Sequence, residues 1–250
     1  MLVLVSLGLA SCGRAEPPAA SVTGADLRFS FFATSQTGLI SLAPGPEGFG
    51  GNLGGLAGAD ALCTTLASRG APGNRKTWRA FLSVAAGDEG APVHAIDRIG
   101  PGPWYDFRGR LLAATRENLI DEDHALGRPR GGDPALAVMF TDEGGDPISP
   151  DPLRIDNHDF LTGSDERGQL YGDEASTCLD WTSANNDDTV PPLVGHAWPR
   201  SATSGRHWIA AHVAGGCAAG INVDPTRDFE DESVGAGGGY GGIYCFALSE

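Results

Sequence analysis

The residues best suited to chemistry in this sequence are oxygen donors in two acidic loops. Asn185-Asn186-Asp187-Asp188 forms one, and Asn222-Val223-Asp224, with Asp228 and Asp231 beyond, forms the other. Carboxylate and amide oxygens are the hard ligands that calcium collects in flexible loops. Asn185, Asn186, Asp187, Asp188 and Asp224 are therefore the candidate ligand-binding residues, and calcium is the cofactor they would suit. Acidic runs are also ordinary solvated surface, so the pattern names candidates and not a finished site. Asp187 and Asp224 would serve a hydrolase only if they converged in one cleft with separated pKa values.

Other chemistries have weaker signatures. His196, His207 and His212 lie close together in the chain. The i, i+5 spacing of His207 and His212 puts them on different helix faces and, being odd, on opposite strand faces. That is unlike the i, i+4 pair of H-E-x-x-H. Gly195-His196-Ala197-Trp198 and His207-Trp208 read instead as aromatic packing corners, and no metal is assigned there. Ser164 sits in Gly163-Ser164-Asp165 without the G-x-S-x-G elbow, which predicts a turn serine. The glycine-rich stretch from Gly48 to Gly58 does not match G-x-G-x-x-G, so dinucleotide binding is not expected. The second such stretch, Gly235 to Gly242, reads as a loop passing close to another backbone.

The five cysteines divide by position. Met1 to Leu9 is an apolar run of signal-peptide length, too short to span a bilayer. Leu9-Ala10-Ser11-Cys12 follows it and resembles the lipobox of bacterial lipoproteins, in which the peptide is cut before a cysteine that becomes acylated. That reading makes residues 1–11 a signal peptide, Cys12 the lipidation site and residues 12–26 a flexible Pro/Ala-rich tether. No Lys or Arg precedes the apolar run, a departure from the signal pattern that a start codon assigned too late would explain. Gly13 in place of Asp after the cysteine points to the outer membrane or cell surface. The remaining Cys63, Cys178, Cys217 and Cys245 include no C-x-x-C, and no histidine lies within four positions of any of them. In an exported chain this predicts two disulfides, with three pairings left open.

Residues 27–250 must then position whatever the loops hold. The chain is 41% hydrophobic, enough for a core, and its 37 glycines and 17 prolines favour turns and short strands. A net charge of −15 repels phosphate backbones, so nucleic acid is not an expected partner. Leu27 to Ala33 reads as a first strand, continued by Leu39 to Leu42. Leu56, Ala59, Cys63 and Leu66 share one face of a helix that Gly70 closes. Further strands are expected at Thr77 to Val84, Arg110 to Ala114, Cys178 to Thr182, His207 to His212 and, as the core strand, Ile243 to Leu248. Asp121 to Asp159 reads as long loops around one apolar island, Ala135 to Phe140.

A family resemblance rests on several of these segments in order. Gly58-Ala59-Asp60-Ala61-Leu62-Cys63 followed by Arg79-Ala80-Phe81-Leu82-Ser83 resembles the first helix and next strand of endostatin. Gly163-Ser164-Asp165 before Cys178-Leu179-Asp180-Trp181, and then Cys217 and Tyr244-Cys245, extend the likeness. The resemblance implies an α+β, C-type-lectin-like (endostatin-like) fold with short helices, twisted antiparallel strands and long loops. It also implies nested bridges, Cys63–Cys245 and Cys178–Cys217. It does not bring endostatin's zinc, whose N-terminal histidines have no counterpart between Cys12 and Asp26. Nor does it bring heparin binding, given the acidic balance. No E-P-N, Q-P-D or W-N-D triplet of the calcium-dependent lectins occurs.

The function expected from all this is a lipid-anchored surface or envelope protein with a non-enzymatic domain that binds a protein or glycan. A secreted hydrolase using loop carboxylates and a purely structural envelope protein are the rival readings.

Overall fold

The aromatic run near the C-terminus becomes the hub of the molecule. In the computed structural model, residues 24–87, 89–120, 139–198, 207–226 and 231–248 are described. Strand β8, Gly239–Ala247, is buried along its whole length. It pairs antiparallel with β1 (Phe31–Ala33) and with β2 (Trp78–Ala80), and parallel with β5 (Asp159–Leu161). Beyond β5 the sheet continues antiparallel through β6 (Leu193–His196) to a two-residue strand, β7 (His212–Val213). A separate ribbon joins β3 (Trp104–Tyr105) to β4 (Leu111–Ala113). Three short helices, α1 (Gln36–Ile40), α3 (Ala95–Arg98) and α4 (Arg116–Ile120), and one long one, α2 (Gly55–Gly70), complete an α+β fold.

Helix α2 forms where the apolar spacing places it. Ala59, Cys63, Leu66 and Ala67 are buried, and Leu56 is half-buried beside them. From the same face, Asp60 accepts hydrogen bonds from the Ala80 amide and from Arg79 and Arg98, which fastens the helix to β2 and α3. The Cys63–Cys245 disulfide fastens it to β8, and Cys178–Cys217 closes a second, inner loop. Both links are those the resemblance implies. In the core, Tyr244 stacks on Phe160 at 4.9 Å, with Phe31, Phe140 and Trp208 packed around it.

Three expected strands take other forms. Leu39 to Leu42 does not extend β1. Ser35 caps helix α1 by accepting from the Gly38 amide, and the buried Glu143 carboxylate accepts from the Ser35 amide and hydroxyl. That carboxylate comes from a distant turn, so local alternation gave no sign of it. Cys178 to Thr182 is not a strand either, because Cys178, Leu179, Asp180 and Trp181 all have positive φ and coil one left-handed turn. Each costs about 1 kcal/mol or more in that region. The turn is held by the inner disulfide, by Asp180 accepting from the Ala85 and Ala86 amides, and by Trp181 Nε1 donating to the Ser83 carbonyl. Of His207 to His212, only His212 joins a strand.

Several expectations fall elsewhere. Residues 1–23, with Cys12, lie outside the described residues, as do 135–138 of the apolar island and Asp228. Asp26, at the end of the expected tether, is tied to the domain through Arg28 and the Phe107 carbonyl. Ser164 is buried in a turn and shares a hydrogen bond with Ser83.

The turn carrying Glu143 makes a pH-dependent contribution. Burial, aided by the neighbouring Glu143 carboxylate, pushes the Asp142 carboxyl up to about 6. With its folded pKa above the unfolded value, the folded state binds the extra proton, so stability falls as pH rises from about 4 through about 6. Asp142→Asn keeps an oxygen for the Gly144 and Asp146 amides, which Asp142 Oδ1 now accepts. The variant is expected to melt about 2–4 °C above wild type at neutral pH, with the gap closing near pH 4. Thermal melts across that range check it, and a gap independent of pH would refute the assignment.

Candidate metal centre

Three strands bring four donor side chains together in the interior. Asp159 opens β5, and His196, at the end of β6, is its directly paired partner across the ladder. His212, on β7, pairs with Val194, two residues before His196, so its ring reaches the same face diagonally. His158 precedes β5 and escapes that strand's alternation, its carbonyl accepting from the Ala197 amide. Two glycines let the backbones close around the group. A Cβ on Gly195 would lie 1.6 Å from the Trp208 carbonyl oxygen, and one on Gly238, at φ +124°, only 2.8 Å from the His158 ring.

The geometry converges on one oxygen. Asp159 Oδ1 stands 3.3 Å from His158 Nε2, 3.3 Å from His196 Nε2 and 3.2 Å from His212 Nε2. Asp159 is fully buried, and neither of its carboxylate oxygens accepts a hydrogen bond of good geometry. A buried carboxylate left so is costly unless something else satisfies it. Burial alone would raise its pKa, but the facing rings of His158, His212 and His196 prevail and hold it below the ordinary value. Tyr244 lies close enough that burial and the charge of Asp159 push its phenol well above its usual range.

The imidazoles are oriented from behind. His158 Nδ1 lies 2.6 Å from Asp156 Oδ1, and His212 Nδ1 lies 2.7 Å from the Val213 carbonyl. With an ion bound, a proton on each Nδ1 would donate outward and leave the Nε2 lone pair to the metal. This is the outer-shell arrangement of metal-bound histidines. Trp198 packs against the His158 ring and donates from Nε1 to Asn157, whose own amide donates to the Ile148 carbonyl.

These donors fit a zinc ion. Bonds of about 2.0–2.1 Å in a tetrahedron place ligand atoms about 3.3 Å apart, which matches the three oxygen-to-nitrogen separations. Three imidazoles and one carboxylate suit zinc or a neighbouring transition ion, while calcium asks for oxygen. Among the described residues, no other group of three or more His, Cys, Asp or Glu side chains is gathered so closely.

The residues singled out from sequence lie elsewhere and are employed differently. Asn186 Oδ1 accepts from the Cys217 and Ala218 amides, and its Nδ2 donates to the Glu232 carbonyl, bracing the inner disulfide. Asn185 Oδ1 accepts from the Asp187 amide, and Asp224 Oδ1 accepts from the Thr226 amide and hydroxyl. Asp187 and Asp188 are exposed, Asp188 at φ +58°. His196, read as part of a packing corner, and His212, given no metal role, instead face Asp159, while His207 turns away and contacts the Ile120 carbonyl. His158 and Asp159 were not singled out at all. The available signal was Asp156-Asn157-His158-Asp159, four polar residues running into the apolar Phe160-Leu161.

No family model matches this chain, and no curated protein matches it in sequence.

Proposed function

We propose that this chain is an exported surface module of C-type-lectin-like fold, similar to endostatin, that carries one zinc ion on His158, Asp159, His196 and His212. The observation that carries the metal reading is Asp159, fully buried with three Nε2 atoms 3.2–3.3 Å from one oxygen. The fold reading is supported by the pairing of β1 with β8, which joins the two ends of the described chain, and by the two nested disulfides. A lipid on Cys12 would hold the module at the outer membrane or cell surface, with residues 12–26 as spacer. Its role is to bind a protein or glycan ligand rather than to catalyse. Asp156 is engaged with His158 and Asp159 would be occupied by the ion, so neither is left as a general base.

Calorimetric titration of the chelator-treated domain with zinc tests the centre. One ion per chain is expected, with Asp156→Ala binding about 10–100-fold more weakly through loss of the outer-shell partner. Asp159→Asn should lose at least as much while keeping its circular dichroism spectrum. Zinc affinity equal in wild type and both variants, or no zinc heat in any of them, would overturn the reading.

A further inference from the structure

A groove of about 840 Å³ opens where the described chain begins. It lies between the entering segment from Gly24 to Ser30, the turn after α2 and the start of β3. Its charge runs against that of the chain. Arg28, Arg75 and Lys76 line it with a single carboxylate, Asp26, although the chain carries a net charge of −15.

The lining is held in place from within. Arg28 donates to Asp26 through Nε and Nη2, and its guanidinium lies 4.4 Å from the centre of the Tyr105 ring. Lys76 Nζ donates to the Phe29 and Leu27 carbonyls, which fixes the backbone that presents Leu27 to solvent at 97% exposure. Arg75 is exposed, and its guanidinium has no ion pair among the described residues. An exposed leucine beside cations suits a lipid surface, where basic groups meet phosphates and an apolar side chain enters the boundary between headgroups and acyl chains.

The connection of the chain selects the occupant. Cys12 lies twelve residues before Gly24, so a lipid there stays within about 43 Å of the groove even at full extension. Such tethering gives a weak patch a high effective concentration at the bilayer, so a few charges suffice. An anionic bilayer repels the acidic remainder of the surface, which leaves this face to meet it. Resting on the lipid-anchor reading above, we infer that the groove docks on anionic phospholipid headgroups of the bilayer that holds Cys12. Arg75 and Lys76 meet the phosphates, and Leu27 enters beside them.

Lys76 is the only lysine of the chain, so amine labelling followed by peptide mapping reads this groove directly. The acylated protein is placed in phosphatidylcholine vesicles with or without phosphatidylglycerol, and acetylation of Lys76 by acetic anhydride is followed by mass spectrometry. Acetylation is expected to slow about fivefold or more with phosphatidylglycerol, one basic residue near such a surface being worth about fivefold in adsorption. In about 1 M salt, where a surface potential reaches only about 3 Å, the rate should recover. Arg75→Glu and Leu27→Gln should each restore much of it at low salt. Equal rates in the two vesicles, or slowing that salt and both variants leave in place, would overturn the docking while the anchor stands. A protein whose mass carries no acyl group on Cys12 would instead remove the anchor, and this inference with it.

Discussion

Replacing Cys63 and Cys245 together by alanine is expected to cost about 5 kcal/mol, the larger of the two disulfide losses. The bridge spans 182 residues, and by chain entropy a loop of that length restrains the unfolded chain by about 5 kcal/mol. The inner bridge, spanning 39 residues, gives roughly 4 kcal/mol on the same scale. All four cysteines are fully buried, so truncation of either bridge also removes packing from the core, and loop length makes the difference. Against a typical total of about 5–15 kcal/mol, the outer loss can leave too little for folding at 37 °C. Urea melts of the wild type, the Cys63/Cys245 double variant and the Cys178/Cys217 double variant provide the check. A double outer variant within about 1 kcal/mol of wild type would show that the sheet closes without the staple.

Much of the scaffold was legible because its signals are local. Leu56, Ala59, Cys63 and Leu66 announce α2 within four turns, and Ile243 to Leu248 announces the core strand by composition. The bridges needed more than spacing, since four cysteines allow three pairings; the order of landmarks shared with endostatin supplied the choice. The rest was hidden by distance. Helix α1 is capped through Glu143, 108 residues from Ser35. The left-handed turn at Cys178 to Trp181 is held by Ala85 and Ser83 from an earlier segment. The candidate metal centre forms only after β5 and β6 adopt a register that sets Asp159 opposite His196. Read along the chain, His196 and His212 have no carboxylate partner, and Asp159 looks like the end of a polar loop. The oxygen-rich loops stand out in sequence because they are contiguous, yet Asn185 and Asp224 hold their own turns and Asn186 holds the Cys217 and Ala218 amides.

Truncating Asp60 to alanine is the second change expected to be severe, at about 3–5 kcal/mol. The carboxylate receives two hydrogen bonds of 2.8 Å from Arg98 Nη2, one of 2.6 Å from Arg79 Nη1, and one of 2.9 Å from the Ala80 amide. The partners are unequal. The Arg79 side chain is 43% exposed and regains water when released, so that pair contributes at most about 1 kcal/mol. The Arg98 side chain is 7% exposed, and its burial already pulls its pKa down against the support of Asp60. Without Asp60, Arg98 keeps the Ala80 carbonyl but becomes a buried guanidinium with no counter-charge, and the Ala80 amide loses its acceptor. If uncompensated charge is the cause, removing that charge as well should recover part of the loss. Asp60→Ala with Arg98→Met is therefore expected to be more stable than Asp60→Ala alone, by about 1–3 kcal/mol, since a buried pair can be exchanged for apolar packing at small net cost. Urea melts of the two single variants and the double variant, at constant m, separate the terms. Additive losses in the double variant would mean that Asp60 acts through the Ala80 amide and helix packing alone, and that Arg98 carries no buried charge needing a partner.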